Sequence, residues 1–330
     1  MPHTAAPKPK VLVVIPCLNE EDHLEGLLHK LITTNFIKEL RFVIVDGGST
    51  DRTPQIAQAL ATSHTNVNYL QNPKRIQSAA INLAITTYGK DADYLIRIDA
   101  HADYPERYCE TLLAEAQQTG ADSVVVAMRT IGKEGFQRAV AAAQNSKLGN
   151  GGSAHRVIGK AGRWIDHGHH ALMRIAAFRA IGGYDESFRH NEDAELDMRL
   201  QKMGYKIWLT GNTTQTYYPR TAPLDILKQY IGYGFGRAST ILKHRSKMKI
   251  RQLLPVFVAP AALLACFAPW ASITALPFLA WAVICLAYGG WLAVKAGDSV
   301  IATSGPAAML MHFGWSLGFW KAVLIRIAKV

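Results

Sequence analysis

The sequence predicts an α/β chain. A mostly parallel sheet with helices on both faces is followed by a helical membrane region at the carboxyl end. Three observations predict it. Short continuous apolar runs alternate with helix-period segments through the first half. Acidic or glycine-rich loops follow those runs. From Leu253 to Val294 there is no Asp, Glu, Lys, Arg or His. The chain has 330 residues, a formal net charge of +11 and four cysteines. That length allows two domains of ~100–200 residues. An apolar fraction of 49% beside a charged fraction of 18% excludes a disordered chain. Four cysteines are too few for a disulfide scaffold.

The run at 11–15 reads as a buried parallel strand ended by Pro16. Asn19 or Glu20 opens the next helix, with Leu24, Leu27, Leu28, Leu31 and Ile32 at helical spacing. A second buried strand at 42–45 ends in Asp46-Gly47-Gly48-Ser49. Thr53-Pro54 starts a helix, with proline in the first turn. Residues 67–70 form a third strand and 76–88 a helix. A fourth strand at 94–98 ends at Asp99, then 105–118 is helical and 123–127 a fifth strand. In such sheets ligands sit beyond the carboxyl ends of strands, where Asn19, Asp46 and Asp99 all fall. The glycine-rich stretch 149–153 reads as a flexible loop leading to a later half.

A spanning helix needs ~20 apolar residues to cross ~30 Å of hydrocarbon. The charge-free stretch 253–294 is long enough for two spans in a hairpin, turning at Pro269-Trp270-Ala271-Ser272. A third run, 299–320, carries only His312 and is followed by Lys321, Arg326 and Lys329. Lys243, Arg245, Lys247, Lys249 and Arg251 crowd before the first span, which makes that side cytoplasmic. Lys295 returns there. A fully spanning third run would leave its basic tail outside, so an interfacial or re-entrant segment is favoured. The basic cluster suits anionic lipid headgroups. Nucleic-acid binding is the weaker reading of the charge, because that cluster abuts a hydrophobic run. No apolar core of signal-peptide length precedes residue 11. The expected organisation is a cytoplasmic domain over 1–222, an interfacial basic segment over 223–252 and a membrane region over 253–330. The expected location is the cytoplasmic (inner) membrane, integral, with the first domain facing the cytoplasm and its cysteines reduced.

Four features carry candidate chemistry. They are Pro16-Cys17-Leu18-Asn19-Glu20, Asp46-Gly47-Gly48-Ser49-Thr50-Asp51, Asp99-Ala100-His101-Ala102-Asp103 and Asn191-Glu192-Asp193-Ala194-Glu195. Each alone is equally well read as a cap or turn. Their order and spacing raise the odds. Asp193 and Asp197 also share a helix face, as acids at a solvated helix start would.

Taken together, "VIPCLNEE", "IVDGGSTDRT", "NPKRIQSAAIN", "LIRIDAHADYP", "GGYDESFRHNEDAELDMRL", "YYPR" and "QYIGYGFGRA" resemble the inverting glycosyltransferases of family 2. Within that family the chain looks most like the ExoA-type succinoglycan glucosyltransferases. The likeness covers nearly the whole chain and implies a GT-A, Rossmann-like fold. It implies that Asp46 reads the uracil or ribose of a UDP-sugar, with Asn19 and Glu20 lining the same pocket. Gly47 stands where the family has a second acid. Arg75 is a candidate for the diphosphate, a solvated surface arginine being nearly as good a reading. Asp99 and His101 stand where the family holds its metal-binding acids. A divalent cation, Mg²⁺ or Mn²⁺, would offset the diphosphate charge there. The imidazole favours Mn²⁺ tolerance, and Asp103 is an alternative second carboxylate.

The likeness further implies that Asp193 is the base taking the acceptor hydroxyl proton, with Glu192 the neighbouring alternative. Asp166 and His169 are expected to shape the acceptor site. Arg220 ranks first as a late cation toward the diphosphate, and Arg237 second, on the acceptor side. The Q-x-x-R-W sequence of processive members is absent, which argues against a polymer synthase. Residues 224–242 suit a helix on the membrane surface that positions a lipid-borne acceptor. The implied function is inverting transfer of a hexose from a UDP-sugar to a polyprenyl-diphosphate-linked saccharide in exopolysaccharide biosynthesis. Glucose and a β-1,3 linkage are the expected details. Two alternatives stay open. One is a polyprenyl-phosphate glycosyltransferase of the dolichyl-phosphate-mannose-synthase type, whose acceptor needs no base. The other is an inactive sugar-nucleotide-binding relative.

Overall fold

The computed structural model describes residues 8–35, 37, 39–153, 159, 161–267 and 273–328. The first elements are β1 (Val11–Cys17), α1 (Leu24–Thr34), β2 (Leu40–Asp46), α2 (Thr53–Ser63) and β3 (Val67–Gln71). Next come α3 (Gln77–Tyr88), β4 (Tyr94–Arg97), α4 (Tyr108–Thr119), β5 (Ser123–Thr130), α5 (Gly135–Asn145) and α6 (Lys147–Asn150). They are followed by β6 (Arg163–Ile165), β7 (His169–Arg174), α7 (Ile175–Ala180), α8 (Glu192–Lys202) and β8 (Ile207–Tyr217). The carboxyl part holds α9 (Pro223–His244), α10 (Ile250–Val256), α11 (Val258–Phe267), α12 (Leu276–Ala296) and α13 (Ser304–Ile327). The chain divides into two compact units, 1–128 with 158–215, and 129–157 with 216–330.

The sheet order is β3-β2-β1-β4-β7-β5-β8-β6. β1 pairs in parallel with β2 and β4, and β2 with β3. β7 runs antiparallel to β4 and β5, and β6 antiparallel to β8. Period-2 alternation sends successive side chains to opposite faces, so the buried strands are apolar on both. Val13, Ile15, Phe42 and Ile44 pack with Leu24 and Leu28 of α1 and Leu112 of α4. Leu12, Val14, Val43 and Val45 pack with Ile81 and Ile85 of α3 and Leu196 and Leu200 of α8.

The structure corrects the sequence reading in several places. Pro16 lies inside β1, not at its end. The Val14 carbonyl accepts from Ile98 on the β4 side, so same-parity Pro16 faces that side beyond the end of β4, where no N–H is needed. α1 starts at Leu24 rather than at Asn19 or Glu20, because the backbone of both is tied to the 49–53 loop. β6, β7 and β8 escape the periodicity reading; β7 is the mixed sequence His169-His170-Ala171-Leu172-Met173-Arg174. Part of the glycine-rich 149–153 stretch is the helical turn α6. The expected turn at Pro269-Trp270-Ala271-Ser272 and the basic Lys329 lie outside the described residues.

Helix α8 is the element that carries Asp193, and it is heavily anchored. Glu192, Asp193 and Glu195 occupy its first turn and Arg199 and Lys202 its last, matching the helix dipole. Arg199 donates to the buried Glu195 carboxylate and to the Ile181 and Gly183 carbonyls, the last two at 2.6 Å. Asp197 is clamped by two histidines. His167 Nδ1 lies 2.7 Å from its Oδ2, and His170 Nε2 lies 2.8 Å from its Oδ1. Burial alone would raise the Asp197 pKa, but His170 and His167 outweigh it and bring it down to about 2. Burial likewise opposes charge on His170, yet Asp197 holds its pKa above the ordinary value.

In the second unit, α9 and α13 approach so closely that only glycine fits between them. A Cβ on Gly318 would run into the Ile231 carbonyl, one on Gly314 into the Leu227 carbonyl at 2.7 Å, and one on Gly234 into the Trp315 carbonyl. The Gly314-x-x-x-Gly318 spacing puts both glycines on one helical face. Ser316 and Trp320 of α13 donate to the Val256 carbonyl, at 2.8 and 2.9 Å; Pro260, four residues on, has no N–H to offer it.

Two outcomes test these packings in melts of the purified, detergent-solubilised chain. Gly318→Ala should lose about 1–3 kcal/mol by overpacking, whereas Gly290→Ala, facing open space, should change little. Asp197→Asn should lose about 2 kcal/mol, the worth of a shift from 3.8 to about 2. A depressed carboxylate contributes its full stability above the unfolded value and loses it as pH falls through the folded one. The variant should therefore flatten the acid limb between 3.8 and about 2.

Candidate active site

The loops after β1, β2 and β4 meet at one edge of the sheet. Asp46, the last residue of β2, is 1% exposed and shapes its own turn. Its Oδ2 accepts from Gly48 N at 3.0 Å and its Oδ1 from Ser49 Oγ at 2.5 Å. Asn19, in the left-handed region at φ +56°, donates its backbone N–H to Ser49 Oγ and accepts from Thr50 N, both at 2.8 Å. Glu20 N donates to Thr53 Oγ1 at 2.7 Å. The β1 and β2 loops are thus laced together by side chain to backbone bonds. Arg75, at φ +57°, lays its guanidinium over Gly48; a Cβ there would meet its Nε at 3.0 Å. Gly48 itself sits at φ +81°, where a side chain would be strained.

The centre of the site is Arg97, at the end of β4. It is 7% exposed and faces three carboxylates. Its Nη1 donates to Asp193 Oδ1 at 2.7 Å and its Nε to Asp99 Oδ1 at 3.3 Å. Glu192 Oε1 stands 3.8 Å away. Tyr184 donates its hydroxyl to the same Asp193 Oδ1 at 2.9 Å. Gln77 donates to Asp99 Oδ1 at 2.8 Å, and Tyr104 to the Asp99 backbone carbonyl at 3.3 Å while accepting from its N–H at 2.7 Å. His169 sits between the two acids, with Nε2 3.3 Å from Asp99 Oδ2 and Nδ1 3.7 Å from Asp193 Oδ2.

Charge follows from this arrangement. Burial disfavours ionised Asp99 and Asp193, but Arg97 overrides it, and the histidines add to its effect. Both acids are held below the ordinary carboxylate range. Burial and then the Asp193 charge push Glu192 upward. Two adjacent carboxyls therefore differ in proton affinity, and Asp193 is the ionised one.

Asn19, Glu20, Asp46, Arg75, Asp99, His101, Asp166, His169, Glu192 and Asp193 all belong to the first unit. Asp166 is exposed, and its carbonyl accepts from Gln201 of α8. Arg220, exposed beyond β8, and Arg237, on α9, belong to the second unit. His101 Nδ1 lies 2.8 Å from Glu20 Oε1. Among the described residues no three His, Cys, Asp or Glu side chains form a metal-binding group. Asp99 and His101 still offer one oxygen and one nitrogen donor, enough for a cation whose other ligands are diphosphate and water. The Gln215 side chain donates to Asp99 Oδ2 at 3.3 Å, and its buried Oε1 has no partner among the described residues. A metal-bound water would satisfy that acceptor, so the donor set fits a hydrated cation.

Arg97, Tyr184, Gln77 and Gln215 were not singled out by sequence. Arg97 had a signal: a cation inside the buried run Tyr94-Leu95-Ile96-Arg97-Ile98 requires an acid partner. Tyr184 and Gln215 carry none, because only the fold brings them to the acids.

Comparison with known proteins agrees with this geometry. The family described as Glycosyl transferase family 2 matches residues 12–182. The succinoglycan biosynthesis protein ExoA of Rhizobium meliloti (strain 1021) is 55% identical over 313 residues, covering 95% of this chain and 94% of that one. A Methanococcus voltae dolichyl N-acetyl-alpha-D-glucosaminyl phosphate 3-beta-D-2,3-diacetamido-2,3-dideoxy-beta-D-glucuronosyltransferase is 26% identical over 247 residues, covering 71% and 74%. Among solved structures, the mannosyltransferase PcManGT of Pyrobaculum calidifontis, in complex with GDP-Man and Mn²⁺, superposes with a TM-score of 0.62 at 20% identity. That alignment covers 97% of this chain and 89% of that one, and it shows a shared GT-A-like α/β fold. With a buried arginine holding one strand-end acid and one helix-start acid, and the family's sequence pattern over half its length, the chain belongs to glycosyltransferase family 2.

Proposed function

We propose that this glycosyltransferase moves a hexose from a UDP-sugar, with inversion at C1, to a polyprenyl-diphosphate-linked saccharide. The step belongs to exopolysaccharide assembly of the succinoglycan type, at the cytoplasmic face of the inner membrane. Glucose and a β-1,3 linkage are its expected details. The 55% identity to a succinoglycan biosynthesis protein over 95% of the chain supports the biological setting. The single observation that carries the chemistry is Asp193, kept ionised by Arg97.

Asp193 Oδ1 is occupied by Arg97 and Tyr184, which leaves Oδ2 to accept a proton. The acceptor hydroxyl gives that proton to Oδ2 as its oxygen attacks C1. The C1–O bond to the diphosphate breaks, and its electron pair leaves with UDP. One base is enough for a single displacement. His169 bridges from Asp193 to Asp99 and orients the acceptor side, with Asp166 beyond it. Glu192, favouring its proton, adds no second full charge beside the base. Asn19, Glu20 and Asp46 hold the nucleoside, and Arg75 faces the diphosphate. A divalent cation held by Asp99 and His101 would offset the charge that builds on the leaving group.

Asp193→Asn should lower transfer by roughly 10²–10⁴-fold, with sugar-nucleotide binding retained. Membranes given radiolabelled UDP-glucose, UDP-galactose or GDP-mannose, with separation of lipid-linked products, check this. Full activity of the variant on a bare lipid phosphate would overturn the hydroxyl acceptor. A product labelled only from GDP-mannose would overturn the donor. Chelation should abolish transfer by the wild-type chain, and added Mn²⁺ or Mg²⁺ should restore it; activity that persists in chelator removes the cation from the reaction.

A further inference from the structure

Three helical stretches, Ile250–Phe267, Leu276–Ala296 and Ser299–Ile327, are apolar and long enough to cross a membrane. Their packing within the second unit contradicts that use. Buried residues make up 39% of the third stretch, against 17% and 11% of the first two. α13 is packed by apolar side chains, but two of the helices that supply them, α6 and α9, also carry charge. At its middle, His312 Nε2 donates to the Leu148 carbonyl of α6 at 2.8 Å, and Trp281 of α12 donates to His312 Nδ1 at 3.2 Å. Leu148 shares its helical turn with Lys147 and Asn150. Just beyond, Gly314 and Gly318 are seated on Leu227 and Ile231 of α9. α9 then follows α13 in parallel, with Ala238 packed against Phe319 and Ala322. It carries Asp225, Lys228, Arg237 and Lys243, and the Lys228 side chain is 66% exposed. If α13 crossed the bilayer, Lys147 and Lys228 would lie near its midplane. A lysine at that depth is strongly disfavoured.

The same levels fix the other two stretches. α10 and the start of α11 stay on α13, where the Val256 carbonyl accepts from Trp320 and Ala259 N donates to Ser316 Oγ. Beyond Ala259, α11 runs on for about 12 Å of helix to Phe267 at 1.5 Å per residue. α12 is back on α13 by Trp281, and then runs antiparallel to it, with Gly289 against Ala302 and Gly305. Among the described residues there, the large side chains of Leu263, Leu264, Phe267, Ile273 and Leu276 are 56–85% exposed. A depth of about 12 Å matches one leaflet, not the ~30 Å of a bilayer core. Arg245 and Lys247, exposed just before α10, and Lys295 and Lys321 supply charge suited to anionic headgroups at its rim.

We infer that the carboxyl region is monotopic: α9, α12 and α13 lie along the cytoplasmic membrane surface, and residues 260–267 and 273–280 dip into the cytoplasmic leaflet without crossing. The occupant of the exposed apolar face is thus the acyl layer of one leaflet. The inference rests on the membrane attachment proposed above and is independent of the sugar transferred. It places the carboxyl end on the same side as Arg245.

Cysteine labelling tests it in the full chain, with the four native cysteines replaced and one returned by Lys247→Cys, Phe267→Cys or Ile273→Cys. An impermeant maleimide applied to intact cells should label none of the three. Permeabilised cells should label Lys247→Cys alone, and detergent solubilisation should expose all three. The chain should stay with the membrane through a carbonate wash. Labelling of Ile273→Cys in intact cells would mean a crossing hairpin and would overturn the inference, leaving membrane attachment intact. Release by carbonate would overturn both, and would assign the apolar face to a protein surface such as a second copy. The two tip positions report independently, so misfolding of one variant leaves the other to decide.

Discussion

The buried guanidinium of Arg97 is the constraint on which the rest of the site depends. It sits at the end of β4 with Asp99 two residues on and Asp193 brought in from α8. Burial pushes both acids toward the protonated form, and Arg97 is the largest influence against it. Removing one member of such a buried cluster leaves uncompensated charge, which costs more than the contact itself returns. The surrounding structure is built to keep α8 in register with β4. Arg199 fixes the helix to the Ile181–Gly183 turn, and the two histidines on Asp197 fix it to the start of β7.

The sequence made the donor side legible because each strand there ends in a short run of chemically special residues. Asp46 and Asp99 follow apolar strands that only a parallel sheet would bury so fully. The base-bearing side was legible only through the family pattern around Asp193. The strands that position it were not, since β7 begins with two histidines and β8 is Thr-rich. Their polarity reflects partners such as Asp197 and Asp99, which no periodicity encodes. Arg97 shows the intermediate case: visible as an anomaly in a strand, but with partners that only the fold supplies.

The carboxyl region carries the complementary lesson. Hydropathy identifies its helices and says nothing of their neighbours. Gly314 and Gly318 bring a charged helix alongside an apolar one, and that contact decides how deep either can sit. Pro260 leaves the Val256 carbonyl without its helical donor, and Ser316 and Trp320 supply one. Such internal satisfaction of freed carbonyls is needed wherever water is scarce.

Helix α3 joins the two halves of the chemistry mechanically. Its first residue, Gln77, holds Asp99, and one turn later Asn82 both accepts from Tyr184 N and donates to the Tyr184 carbonyl, each at 2.9 Å. Glu186, next along, is paired with Lys74 beside Arg75. On the function proposed above, donor cradle and base would be mounted on one strut. The regiochemistry of the product would then be a property of acceptor tilt. An enzyme of this build would be retuned to a new linkage by reshaping where the acceptor lies, with the strut left untouched.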